Sequence, residues 1–150
     1  MKRSPHVERV SNVRISCVSD DDFLRLRKAA VAASARAYCP YSNFPVGAAV
    51  LTETGELTTG CNVENASFGL TMCAERNAIF QAVTKGESKL RAILVYTPSD
   101  NPSPPCGACR QVIHEFGPDT IVYSTCDGPD ISCDQLSALL PQAFGRRSLK

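Results

Sequence analysis

This sequence lacks the charge imbalance, the long apolar runs and the repetition that mark several broad protein classes. Its 16 basic and 15 acidic residues nearly cancel, leaving a formal charge of +1. A protein that grips polynucleotide draws most of its affinity from phosphate contacts and gathers a basic excess on one face. Here the clustered cations are few, Lys2 and Arg3 at one end and Arg146, Arg147 and Lys150 at the other, and they read as solvated ends. No stretch nears the roughly 20 apolar residues of a membrane helix. The opening MKRSPHVERV carries charge but no apolar run, so a secretory signal is not expected. The closing Ser-Leu-Lys has the wrong order for a peroxisomal address. There is no internal repeat and no low-complexity block. The expectation is a cytoplasmic protein with no nucleic-acid and no membrane partner.

What is present fits one globular domain: 150 residues, 43% of them apolar. Eight cysteines are many for this length. In a reducing compartment thiols stay free, and clustered cysteines favour metal binding or catalysis over disulfides. Residues 1–18 show no sustained periodicity and read as a loose extension, leaving 19–150 as the domain.

Ser19 is an N-cap candidate, followed by Asp20, Asp21 and Asp22 where the helix dipole favours negative charge. Phe23, Leu26, Ala30, Ala33 and Ala37 recur at helical spacing, and Pro40 ends the run. Strands are expected at 46–51 and 57–63, joined by the Glu53–Glu56 turn as a hairpin. A helix follows at about 73–84, a strand at 92–96, a Pro-rich loop at 98–105 and a third helix at about 107–116. A strand at 120–124, a tight turn at Asp127-Gly128, a short strand near 130–132 and a last helix at 135–140, closed by Pro141, complete the chain. This alternation predicts an α/β fold with a mixed five-stranded sheet and helices packed on its faces.

Two short motifs carry chemistry: Cys73-Ala74-Glu75 and Pro105-Cys106-Gly107-Ala108-Cys109. Three thiolates at the starts of two helices make a three-ligand zinc site with an open fourth position. Zinc with three thiolates has a formal charge near −1, which helix N-termini offset with N–H donors and the positive end of the dipole. Arg76 can add a fixed cation and donate to sulfur. Glu75 is too close in sequence to Cys73 to share its metal easily, but it can reach a water in the open position and move a proton to a substrate nitrogen. A Cys ligand, a non-ligating Glu and a later Pro-Cys-x-x-Cys is the general arrangement of zinc deaminases. The bland alternative is a closed four-ligand site with His114. His114 lies about 140° around an ideal helix from Cys109, which sets it on another face. Cys17, Cys39, Cys61, Cys126 and Cys133 have no metal spacing among themselves and read as buried small hydrophobes. His6 carries no argument.

With those motifs in place, the chain resembles the small homotetrameric cytidine deaminases over roughly residues 20–145. Four blocks carry the likeness: Tyr41 to Ala49 (YSNFPVGAA), Gly60 to Phe68 (GCNVENASF), Cys73 to Ile79 (CAERNAI) and Pro105 to Gln111 (PCGACRQ). Leu139 to Phe144 (LLPQAF) matches the family's ending. The resemblance implies a three-layer sandwich, one zinc per chain on Cys73, Cys106 and Cys109, and Glu75 as the proton carrier. It implies attack of zinc-bound hydroxide on C4 of a pyrimidine nucleoside. It also places Asn62 and Glu64 at the ribose hydroxyls, Phe44 and Ala74 beside the nucleoside, and Phe144 on the base from a neighbouring subunit of a homotetramer. Tyr41, Arg76 and Gln111 take supporting or interface positions. An amide and a carboxylate two residues apart on a strand end point to one side, and a carboxylate suits hydroxyl donors. A surface strand-end charge is the plain alternative for Glu64, and core packing the plain alternative for the two phenylalanines.

Three rival readings differ at particular residues. A deaminase for the antibiotic blasticidin S would share the scaffold, but Asn62-Val63-Glu64-Asn65-Ala66 supplies acceptors for a nucleoside's hydroxyls. A polynucleotide deaminase keeps a longer helical link between its last two strands, making them parallel; Asp127-Gly128 leaves room only for a tight, antiparallel turn. A zinc-stapled binding module has no need of Glu75 beside an open coordination position.

Overall fold

The computed structural model describes residues 18–150. Residues 1–17 of the N-terminal extension, with His6 and Cys17, lie outside them. Eleven elements of secondary structure follow in chain order, and five of them form one sheet.

Helix α1 (Asp20–Ser34) starts as the sequence suggests: Ser19 Oγ accepts the Asp22 N–H at 3.1 Å, and three aspartates fill the first turn. It ends earlier than the alanine spacing suggests. Ala35 caps it, and Ala37 and Pro40 lie beyond. The chain turns there because Tyr38 is drawn into pairing with another segment: its N–H donates to Asn62 O at 3.0 Å, and Glu64 N–H donates to Tyr38 O at 2.8 Å. That tertiary pairing overrides a helical pattern that no longer has a core to face.

The hairpin forms from β1 (Gly47–Thr52) and β2 (Leu57–Cys61). Strand β2 is shorter than expected, because Val63 leaves the sheet to bridge Tyr38 and Met72. Strand β3 (Leu90–Tyr96) starts two residues earlier than the apolar run indicates. β4 (Ile121–Thr125) and β5 (Ile131–Gln135) are displaced by one residue or extended. The last helix, α4, shrinks to Leu136–Leu139, since β5 takes Gln135. Two 3-10 turns, Phe68–Leu70 and Arg146–Leu149, were not expected from the sequence.

The sheet order is β2-β1-β3-β4-β5. β3 and β4 run parallel across helix α3 (Gly107–Phe116), and the other pairs are antiparallel. The turn after β4 therefore does what its length requires. Alternate residues of each central strand serve opposite layers. Ala49, Leu51, Ala92, Leu94, Tyr96 and Tyr123 pack under α1 with Leu26 and Ala30. Ala48, Val50, Ile93 and Val122 face Ala74, Ala78 and Ile79 of helix α2 (Ala74–Thr84), and Ile113 of α3. This is the three-layer α/β sandwich, with helices on both faces.

The registers Gly47↔Cys61 and Gly47↔Tyr96, with Tyr96↔Thr125, bring four strand ends to one edge of the layers. The end of β2, the start of β1 and the carboxyl ends of β3 and β4 meet there. Ligands of open α/β sheets bind outside such strand ends.

Candidate metal and catalytic site

At that edge the two motifs converge. Cys73 is the N-cap of α2 and Cys106 the N-cap of α3, both in extended backbone conformation, and neither sulfur caps its own helix. Cys109 lies in the first turn of α3 and is buried. The three Sγ atoms lie within 4.8 Å of one another, and Cys73 and Cys106 are 3.8 Å apart. Zinc–sulfur bonds of about 2.3 Å in tetrahedral geometry place sulfurs about 3.8 Å apart. The donor set and its spacing therefore suit zinc. Among the described residues the cluster has three members. His114 is not one of them; it lies on the later part of α3 beside Gly145.

The electrostatics favour negative sulfur. The Cys109 thiol donates to Cys73, and Arg76, whose Nη2 is 3.3 Å from Cys73 Sγ, reinforces it, bringing the Cys73 thiol down to about 5. Cys109, the donor of that pair, is pushed the other way. Arg76 Nε is buried without a hydrogen-bond acceptor among the described residues. A buried, unpaired cationic N–H is costly unless anionic charge lies close by, and the thiolates supply it.

Glu75 is two residues past the N-cap of α2, 5% exposed, and outside the sulfur cluster. Burial pushes its carboxyl up to about 7, while its own backbone N–H and the Cys109 thiol oppose the shift. A carboxyl poised near neutrality exchanges protons readily in either direction.

The approach of α2 to the sheet is set by β2. A Cβ at Gly60 would lie 2.4 Å from Ala74 O and from Ala78 N, so only glycine permits this contact. Asn77 Nδ2 donates to Cys61 O at 2.8 Å, Thr59 N–H donates to Gln81 Oε1 at 3.0 Å, and Thr58 Oγ1 donates to Ala78 O at 2.9 Å. Two amides one helical turn apart thus satisfy the free edge of β2 as a further strand would. Sequence reasoning passed over them, although their i, i+4 spacing in the helix after Cys73 was a usable signal. It also passed over Arg110, which donates to Pro105 O and Leu139 O, each at 2.8 Å, and fixes the loop before Cys106.

The other expected residues fall at varying removes. Val63 and Met72 exchange two backbone hydrogen bonds of 2.9 Å, which tie the Asn62–Glu64 segment to the residue before Cys73. Asn62 is buried; its Oδ1 accepts from Val46 N and its Nδ2 donates to Phe44 O, both at 2.8 Å. One N–H and one lone pair of that amide remain. Glu64 is half-buried and accepts the N–H groups of Tyr41 (2.9 Å) and Ser42 (3.2 Å) and the Ser42 hydroxyl. The Ser42 hydroxyl is the main reason its carboxyl is held below the usual range. Phe44 is 43% exposed, and Tyr41 meets Phe68 edge to face at 5.8 Å. Ala74 has no exposed surface and packs with Ala78 and Ile79. Phe144 is 60% exposed.

The C-terminal segment does not simply run free after Pro141. Gln142 takes φ +53°, Gln111 Nε2 donates to Phe144 O at 2.9 Å, and Arg146 pairs with Glu115 at 3.2 Å. The backbone is tied along α3 while the Phe144 ring stays outside. A cavity of about 680 Å³ lies between this tail and the far end of α3, lined by His114, Phe116, Leu140 and Arg146 among others. It holds none of the cysteines, and the reactive groups lie at the sulfur cluster instead.

Comparison with known proteins agrees with this geometry. Residues 20–125 match the model of the cytidine and deoxycytidylate deaminase zinc-binding region. A cytidine deaminase of Halalkalibacterium halodurans is 50% identical over 120 residues, covering 79% of this chain and 91% of that protein. The crystal structure of cytidine deaminase from Burkholderia pseudomallei aligns with a TM-score of 0.77 at 48% identity, covering 81% of this chain and 98% of that one. The cytidine deaminase structure from Mycobacterium tuberculosis aligns at 0.73 and 42% identity, covering 83% and 98%.

Proposed function

The chain belongs to the cytidine and deoxycytidylate deaminase family, and from that premise we infer that it hydrolyses cytidine and deoxycytidine to uridine and deoxyuridine, releasing ammonia. The observation that carries the reading is the convergence of Cys73, Cys106 and Cys109 beside a buried Glu75 that is not one of the cluster.

Cys73, Cys106 and Cys109 would hold one zinc per chain, which would supply the Lewis acidity that makes water a nucleophile at neutral pH. Glu75 takes a proton from the attacking water and gives it to N3 of the pyrimidine, then passes the proton of the new C4 hydroxyl to the C4 amine, which leaves as ammonia as the C4 carbonyl forms. Arg76 balances the thiolate charge without touching the substrate. The Asn62 amide and the Glu64 carboxylate receive the sugar hydroxyls, and Phe44 lies against the nucleoside. The site is completed by assembly. Phe44, Phe68 and Phe144 are all well exposed, and this chemistry gains from excluding bulk water. The Phe144 ring of a neighbouring subunit closes the pocket over the base, in a homotetramer.

A spectrophotometric assay of the purified protein tests the substrate class. Cytidine and deoxycytidine are expected to be turned over. CMP is expected to be poor, because a phosphate dianion meets a carboxylate-bearing pocket, and a single-stranded oligonucleotide inert. Efficient deamination of the oligonucleotide at physiological salt overturns the reading.

A further inference from the structure

Ser42 joins the two groups that the proposed function sets around the sugar. Its hydroxyl donates to Glu64 Oε1 and accepts the Phe44 N–H at 3.1 Å. The neighbouring Asn43 makes this possible: its φ of +53° reverses the chain so that Phe44 N–H points back at Ser42. On the other oxygen, Glu64 Oε2 takes the N–H groups of Tyr41 and Ser42. An ionised carboxylate has about four acceptor positions. This loop fills three of them, and among the described residues no Lys or Arg pairs with Glu64. The one position left is on Oε1, the oxygen that Ser42 already shares.

We propose that Ser42 is a positioning and specificity-determining residue, holding Glu64 so that its carboxylate offers a single acceptor position, on Oε1, to a single hydroxyl of the sugar. The inference rests on Glu64 being a sugar acceptor. It explains how one site serves ribose and deoxyribose: a carboxylate that takes one hydroxyl loses little when the second is missing. It also sets the direction of change when Ser42 is altered. Without the hydroxyl, Oε1 has two free positions, while Oε2 keeps its two backbone donors and the carboxylate stays in place. A ribose can then donate both neighbouring hydroxyls, and a deoxyribose cannot.

The test compares the wild type with Ser42→Ala, Ser42→Thr, Glu64→Gln and the Ser42→Ala/Glu64→Gln pair, each assayed with cytidine and deoxycytidine. Ser42→Ala is expected to move the cytidine-to-deoxycytidine ratio of kcat/KM toward cytidine by about tenfold or more, the lower range of one hydrogen bond to a charged group. The change is expected in KM, with kcat held within about twofold. Ser42→Thr keeps the hydroxyl and is expected to keep the wild-type ratio. In the Glu64→Gln background, Ser42→Ala is expected to add nothing. If Glu64→Gln raises KM but Ser42→Ala leaves both KM and the ratio unchanged, the Ser42 inference is wrong and the sugar site stands. The inference also fails if Ser42→Ala lowers kcat and thermal stability with an unaltered ratio, a purely structural role. If Glu64→Gln itself leaves both KM values unchanged, Glu64 is not a sugar acceptor, and that reading falls first.

Discussion

Glu75 shows how much of a site one side chain's surroundings decide. It lies in the first turn of a helix whose N-cap is a metal-ligand candidate, close to the sulfurs but outside their cluster, and burial raises its carboxyl to about 7. Replacing it with Gln keeps its shape and removes its proton chemistry. Glu75→Gln is expected to keep fold and metal but lose activity by about 10²- to 10⁴-fold, the usual worth of a general acid–base group. Metal analysis and turnover on the same preparation check it, and near-normal turnover would assign the proton transfer to another group. Glu75 beside Cys73, and Cys109 after Cys106, were legible in the sequence because spacing within each motif fixes their placement, and the meeting of the two motifs across 33 residues was legible through their likeness to the zinc-deaminase arrangement. The bonds of Ser42 to Glu64, and of Asn62 to Phe44 and Val46, were not. Their partners lie 22, 18 and 16 residues apart, and only the finished fold brings them together.

At the scale of elements, the joint between α2 and β2 sets where the chemistry happens. Gly60 lets the helix lie against the strand, and Asn77 and Gln81 fasten it to the open strand edge. Gly60→Ala forces backbone to move, since the new methyl group meets Ala74 O and Ala78 N rather than a flexible side chain. The expected loss is about 1–3 kcal/mol of stability, the common cost of overpacking. Reduced metal retention should accompany it, because the shift displaces Cys73. An unchanged melting temperature would show that the joint is more compliant than described. The element order and the antiparallel final pair were legible, the latter because Asp127-Gly128 leaves no room for a crossover. The end of α1 was not. Ala37 continues the alanine spacing, yet Tyr38 pairs with the Asn62–Glu64 segment, an interaction with no local signature.

For the whole molecule, the open edge and the exposed Phe144 ring bear on assembly. The tail is tied to α3 of its own chain by Gln111 at the Phe144 carbonyl and by Glu115 at the Arg146 side chain, so it can hold the ring at a fixed place for a neighbour. Mixing an inactive Glu75→Gln chain with a Phe144→Ala chain, under conditions of subunit exchange, is expected to restore part of the activity lost by each. A fully active Phe144→Ala protein, or an active monomer by light scattering, would remove the shared site and leave the metal chemistry intact. That chemistry is the central claim, and metal analysis of the untreated, active protein tests it most directly. The result expected is one zinc per chain, lost together with activity when Cys106 is replaced by Ala; full activity in protein that contains no zinc would contradict it.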